Sequence, residues 1–213
     1  GNPNVGKSTV FNAITKLKQH TGNWAGKTVN VCTGEFKHNG TIHKITDLPG
    51  SYSIFADSEE ERISKEYLES CEYDAVIIVV DANALERNLN YCIQILSITS
   101  QAILCLNMSD SANKNGINID TDELSLRLGI PVVSTEAKTR KGIDSLIKAA
   151  VDVAERQIKT YSVQSILDIN NISDDFKISQ YVSDLSNEIC KASLTKTASE
   201  FCNSNFTPDR YFI

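Results

Sequence analysis

Gly1-Asn2-Pro3-Asn4-Val5-Gly6-Lys7-Ser8-Thr9 satisfies the pattern G-x-x-x-x-G-K-[ST] in full. Glycine at both ends lets backbone N–H groups turn toward phosphate oxygens. Lys7 can reach β- and γ-phosphates, and the Ser8 hydroxyl can ligate Mg²⁺. Three further stretches follow apolar or alternating runs. An acid at a strand end, Asp47 of Asp47-Leu48-Pro49-Gly50, can hold the Mg²⁺ hydration shell, and Gly50 can offer its N–H to a γ-phosphate. In Asn107-Met108-Ser109-Asp110, the Asp110 carboxylate can accept from N1–H and the exocyclic amine of guanine, a pattern adenine lacks. Asn107 can tie that loop to the first one and touch the base edge. Thr135-Glu136-Ala137-Lys138 completes the set. Each tetrapeptide alone also reads as an ordinary turn. Their order and their places at successive strand ends argue for one site, because ligands bind outside the carboxyl ends of parallel strands.

The elements that must position these residues are legible as periodicities. Ser8 to roughly Leu17 is a predicted helix with Val10, Ile14 and Leu17 on one face, its positive end at the phosphate loop. A loop containing Gly22 and Gly26 follows. Val29–Phe36 and Thr41–Thr46 alternate around His38-Asn39-Gly40, a strong hairpin signal. Ala75–Val80 and Ala102–Leu106 are continuous apolar runs, as expected of strands buried on both faces, and Pro131–Val133 is a shorter third. Helices are expected near 59–70, 86–99, 121–128 and 143–159. This alternation predicts an α/β fold, a mostly parallel sheet flanked by helices. The texture changes near Thr160: Ser162–Asp175 is polar, and Ile178, Tyr181, Val182, Leu185 and Ile189 then recur at helical spacing. The division is a first domain over 1–160 and a small helical region over 161–213.

Composition narrows the rest. The chain has 213 residues, 23% charged and 41% hydrophobic, with net charge −6, which argues against a general nucleic-acid surface. No apolar run reaches the 18 residues of a membrane span. The six cysteines form no C-x-x-C pair and the three histidines are scattered, giving little support to a metal cluster or disulfide framework; Cys105 reads as a small buried hydrophobe. Asp57 and Glu59-Glu60-Glu61 read as a solvated helix start favoured by the helix dipole. A phosphate loop of this kind normally follows a buried strand. The chain starts where such a strand would end, so the expectation is a longer protein cut at both ends.

With the four motifs in hand, the chain resembles the Ras-like P-loop GTPase superclass. More narrowly, it resembles the amino-terminal cytosolic domain of ferrous iron transport protein B, a bacterial and archaeal membrane protein. The discriminating stretch is Gly22-Asn23-Trp24-Ala25-Gly26-Lys27-Thr28-Val29, beside Gly1–Ser8, Asp47–Ser53 and Asn107–Asp110. The resemblance is strong over about 1–157 and weaker beyond 160. It implies GTP and GDP as ligands, held by Gly1–Thr9, Gly26–Val29, Asp47–Gly50, Asn107, Met108, Asp110 and Thr135–Ala137. It implies Mg²⁺ at Ser8, Thr28 and Asp47. Thr28 matches the switch I threonine that closes on Mg²⁺ and the γ-phosphate and is released on hydrolysis. The implied setting is the cytoplasmic face of a prokaryotic membrane, beside the protein's own transmembrane domain. Self-association into a homo-oligomer is left open. The chain departs from the family at Lys27 and Asn30, and at Glu136, where Ser is usual.

Many GTPases place a glutamine just after the Gly50 position to orient the attacking water. Here Ser51 follows, and glutamine is absent from 51–93. In related potassium-activated GTPases an asparagine at the place of Asn4 ligates K⁺ with backbone carbonyls of switch I, here Gly22 and Trp24. K⁺ there would supply the positive charge of an arginine finger. The expected catalytic set is therefore Asn4, Lys7, Thr28 and Gly50, with slow, K⁺-stimulated turnover. Two alternatives stand beside it: a soluble K⁺-dependent GTPase of ribosome assembly or tRNA modification, and a nucleotide-binding regulatory module with negligible turnover.

Overall fold

The computed structural model describes residues 1–16, 19–23, 30–54, 59–70, 72–158, 160 and 175–194. Helix α1 (Lys7–Thr15) begins directly on the phosphate-loop lysine and buries Val10, Phe11 and Ile14. It stops at Thr15 rather than Leu17 because Lys16 turns left-handed (φ 53°) and closes the last turn by donating to Asn12. Strand β1 (Gln19–Asn23) then pairs antiparallel with β2 (Asn30–His38), Gly22 lying opposite Val31. The sequence predicts a loop here. These five polar residues have no apolar alternation, and the strand is formed by backbone pairing to its neighbour. β2 pairs in turn with β3 (Thr41–Asp47) through the tight turn at Asn39 (φ 47°) and Gly40 (φ 89°). Two consecutive positive φ values are what a type I′ hairpin turn requires, and Asn-Gly supplies them at least cost.

The second sheet is parallel, ordered β4 (Val76–Asp81), β5 (Ala102–Asn107), β6 (Val132–Ser134). Side chains alternate across it. Ile78, Val80, Leu104 and Leu106 face a core shared with α3 (Leu85–Leu96) and α5 (Thr121–Leu128), while Val79, Ile103 and Cys105 face α1 and α6 (Ile143–Ala154). Both faces of β5 are covered, so every one of its residues is buried. α2 (Glu59–Ser70) lies in the stretch between β3 and β4. It starts where the acidic cluster predicted, but Glu61 is buried rather than solvated. Burial raises the Tyr91 phenol of α3 above its usual range, and the Glu61 carboxylate is close enough to help raise it. Asp57 lies outside the described residues, as do the side chain of Glu60 and residues 161–174. α3 and α6 both end short of the predicted 99 and 159, at Leu96 and Ala154.

Two elements change the sequence reading further. α4 (Ser109–Lys114) is a short helix directly after β5; it holds one buried side chain, Ala112, and carried no periodic signal. α7 (Asp175–Ser193) has the expected periodicity, but it does not stand apart. Ile189 and Cys190 enter the same core as α3, Ser186 donates to the Glu86 carbonyl at 2.8 Å, and the Ser193 carbonyl accepts from Asp120 N–H at 2.7 Å. No helix among the described residues is long and apolar enough to cross a membrane.

Burial makes the core cysteines inert. It pushes the Cys92 and Cys105 thiols up to about 12, the Thr135 hydroxyl opposing this weakly at Cys105. Only the thiolate alkylates, and at pH 8 roughly one thiol in 10⁴ would be ionised. Iodoacetamide should therefore leave both residues unmodified in the native protein and label them fully in denaturant, read by peptide mass mapping. Labelling of Cys105 without denaturant would mean that β5 opens readily.

Candidate nucleotide site

The carboxyl ends of β4 and β5, the end of β3 and the start of α1 meet at one edge of the molecule. The centre of that edge is Asn107, the last residue of β5 and only 2% exposed. Its amide uses both ends. Nδ2 donates to the Val5 carbonyl at 3.0 Å, and Oδ1 accepts from the Thr135 hydroxyl at 3.2 Å and the Ala137 N–H at 3.1 Å. One side chain thus fixes the phosphate loop, the loop after β5 and the loop after β6 against one another. Thr135 is held again through its carbonyl, which accepts from the Ser109 hydroxyl at 3.1 Å. Met108 takes a left-handed conformation (φ 60°) that turns the chain into α4, whose first turn carries Asp110.

At the phosphate end, Lys7 Nζ donates to Asp47 Oδ1 at 2.8 Å and also to the Leu48 carbonyl, and Ser8 Oγ donates to Asp47 Oδ2 at 3.3 Å. The hydroxyl and carboxylate therefore converge from two elements 39 residues apart. Gly6 sits at the start of α1 with φ 84°, and Asn4 in the same loop is left-handed at φ 67°. Asn4 is exposed. Gly50 rests on the loop: a Cβ built there would stand 3.4 Å from Pro3 Cα and N.

Gly1–Thr9, Asp47–Gly50, Asn107, Met108, Asp110 and Thr135–Ala137 are accordingly gathered along one edge. Gly22 lies in β1 instead of a loop, while Trp24, Gly26, Lys27, Thr28 and Val29 lie outside the described residues.

Two supporting features have no counterpart among the sequence expectations: Lys141, which partners Glu136, and a cluster at the end of β4. Glu136 is bonded to Lys141 at both ends of the residue, by its carboxylate at 2.7 Å and by its N–H to the Lys141 carbonyl at 3.0 Å. That hydrogen bond and charge hold the Lys141 ammonium above its ordinary range. At the end of β4, Asp81 accepts from the side chain and N–H of Asn83, and Asn83 Oδ1 accepts from Ser111 and Asn115 of the α4 segment, at 3.2 and 2.9 Å. An acid ending an apolar run, two residues before an asparagine, was the available signal.

The sequence profile described as ferrous iron transport protein B matches residues 1–150. The chain belongs to the ferrous iron transport protein B family. The Fe(2+) transporter FeoB of Salmonella typhimurium is 45% identical over 158 residues, 71% of this chain and 20% of that protein. The chain spans about a fifth of the length of the curated FeoB relatives it matches. Among solved structures, the G domain of the T. maritima FeoB iron transporter superposes with a TM-score of 0.68 at 40% identity, covering 72% of this chain and 94% of that one. The cytosolic domain of the same transporter in its GMPPNP form gives a TM-score of 0.81 at 27% identity, covering 92% and 97%. The fold is therefore the P-loop α/β fold of a FeoB G domain.

Proposed function

We propose that this chain binds GTP and GDP and hydrolyses GTP slowly, as the switch domain of a ferrous iron transporter. It would act at the cytoplasmic face of the membrane with its own transmembrane domain. Residues 1–160 form the GTPase unit and 161–213 a helical region, whose α7 packs against α3 of that unit. The observation that carries the reading is the Asn107 amide, which bonds the phosphate loop and both base-side loops at once. Support also comes from the relatives named as Fe(2+) transporters and from a structural neighbour in its GMPPNP form.

The chain's own groups account for recognition and orientation. Backbone N–H groups of Gly1–Thr9 and the start of α1 receive the phosphates. Lys7, now shared between Asp47 and Leu48, moves its ammonium onto the β- and γ-phosphates. Gly50, against Pro3, presents its N–H to the terminal phosphate. Asp110 accepts from the guanine N1–H and amine, and Ala137 borders the base. Ser8 and Asp47, a hydroxyl and a carboxylate already converging, form an oxygen donor set suited to Mg²⁺, with Thr28 as its third member. Held there, Mg²⁺ would neutralise charge building on the phosphate oxygens. Asn4, exposed and left-handed in backbone, would be the side-chain ligand for K⁺, with the Gly22 and Trp24 carbonyls. K⁺ held there would supply the positive charge that an arginine finger gives elsewhere.

Single-turnover cleavage of GTP, with ATP as control, tests this in K⁺ and in Na⁺ buffer. The expected result is cleavage of GTP alone, at least about tenfold faster in K⁺, with the K⁺ stimulation lost in Asn4→Ala. Equal rates in both cations would remove the K⁺ role. No cleavage in saturating K⁺ would leave a nucleotide-binding module without turnover.

A further inference from the structure

The loop after Gly50 is held by α3 through side chains that the proposed chemistry does not use. The Ser51 hydroxyl donates to the Tyr91 hydroxyl at 2.8 Å. Gln94 Oε1 accepts from the Ile54 N–H at 3.0 Å and from the Ser53 hydroxyl at 3.2 Å. Gln94 Nε2 donates to Asn90 Oδ1 at 2.7 Å, one helical turn back, which fixes the amide with its oxygen toward the loop. Ser51, Tyr91 and Gln94 are each below 5% exposed, and Ile54 is 1% exposed within the α3 core. Polar groups buried this deeply are costly unless bonded, and here the bonds run from helix to loop. At its other end the same segment rests on the phosphate loop, Gly50 against Pro3.

We propose that Tyr91 and Gln94 are positioning residues: a clamp on α3 that sets where the Gly50 N–H stands over the phosphate loop. Neither touches nucleotide. They act through Ser51, bonded directly to Gly50 in the chain, and through Ile54. Displacing this segment moves the Gly50 backbone donor assigned above to the γ-phosphate and leaves the β-phosphate cradle of α1 untouched. The clamp therefore governs preference for triphosphate over diphosphate. The sequence departs from glutamine after Gly50, and the first glutamine beyond it, Gln94, is spent on holding this loop's backbone. The inference rests on the nucleotide reading given above.

The test uses two variants that preserve core packing. Tyr91→Phe keeps the ring and removes the hydroxyl; Gln94→Met keeps side-chain length and removes the acceptor. Affinities for GDP and for a non-hydrolysable GTP analogue are measured by calorimetry, with single-turnover GTP cleavage in K⁺. The expected result is GDP affinity within about twofold of wild type, while analogue affinity and cleavage rate each fall about tenfold, the effect of one buried hydrogen bond. Both effects should be larger in the double variant. A lowered melting temperature with an unchanged GDP-to-analogue ratio would make the clamp merely structural and overturn the proposal, as would equal losses for both nucleotides. If the wild-type chain neither binds nor cleaves GTP, the nucleotide reading fails and takes this inference with it. If wild type does both and the ratio is unchanged in both variants, the clamp alone fails.

Discussion

Gly6→Ala should lower GDP affinity by at least about 100-fold, as measured by calorimetry. Two effects combine. Position 6 has φ 84°, and a left-handed backbone costs a residue with a Cβ roughly 1–2 kcal/mol. The larger effect is steric. A Cβ at Gly6 would lie deep inside the van der Waals radius of Asn107 Nδ2, and Asn107 cannot step aside without breaking its bonds to Val5, Thr135 and Ala137. Each buried polar group left unpaired costs about 1–3 kcal/mol, so losing two or three would separate the phosphate loop from the base-side loops. Gly40→Ala isolates the first effect. Its φ is 89°, and nothing lies within 4 Å of the added carbon. That variant should lose about 1–2 kcal/mol of stability with GDP affinity unchanged. Retention of GDP binding within threefold in Gly6→Ala would show that the loops are not bound to one another as the geometry requires.

Asp110→Asn should exchange guanine for xanthine. The carboxylate only accepts, matching the N1–H and exocyclic amine of guanine. An asparagine amide can accept from N1–H but presents N–H₂ to that amine, donor against donor. Xanthine carries a carbonyl there, which the amide can serve. Charge-assisted bonds are worth about 1.5–3 kcal/mol each, so GDP affinity should fall about 10²- to 10⁴-fold while xanthosine diphosphate gains. The substitution is nearly isosteric, and Asp110 is half-buried in the first turn of α4, so the fold should persist. Paired titrations with the two diphosphates read the result. Unchanged GDP affinity would remove Asp110 from the base site.

The parts of this molecule legible in its sequence are those where chemistry or burial admits few residue types. β5 is an unbroken apolar run because both its faces are covered, and the hairpin is written in Asn39-Gly40 because its turn needs two positive φ values. α4 left no such trace: its six residues bury only Ala112, and it forms because Met108 turns the chain and its carbonyl accepts from Ser111 and Ala112. β1 was missed for a related reason, since pairing to β2 makes it a strand without any apolar face of its own. α7 was visible as a helix but not as part of the α3 core, because periodicity reports that a face is apolar and not what covers it. The α3 clamp was invisible in the same way. Tyr91 and Gln94 sit in an ordinary amphipathic pattern, and only the packed structure shows that their polar ends reach a loop 40 residues earlier.

The bond from Asn107 to Val5 joins residues 102 positions apart, and its two other bonds span 28 and 30. Closing contacts of such long range costs loop entropy that only the folded surroundings repay. The nucleotide pocket therefore cannot exist in a partly folded chain, and a ligand that needs all three loops binds only the finished state. By mass action it then pulls folding to completion, by about 2.7 kcal/mol at a hundredfold excess over its dissociation constant.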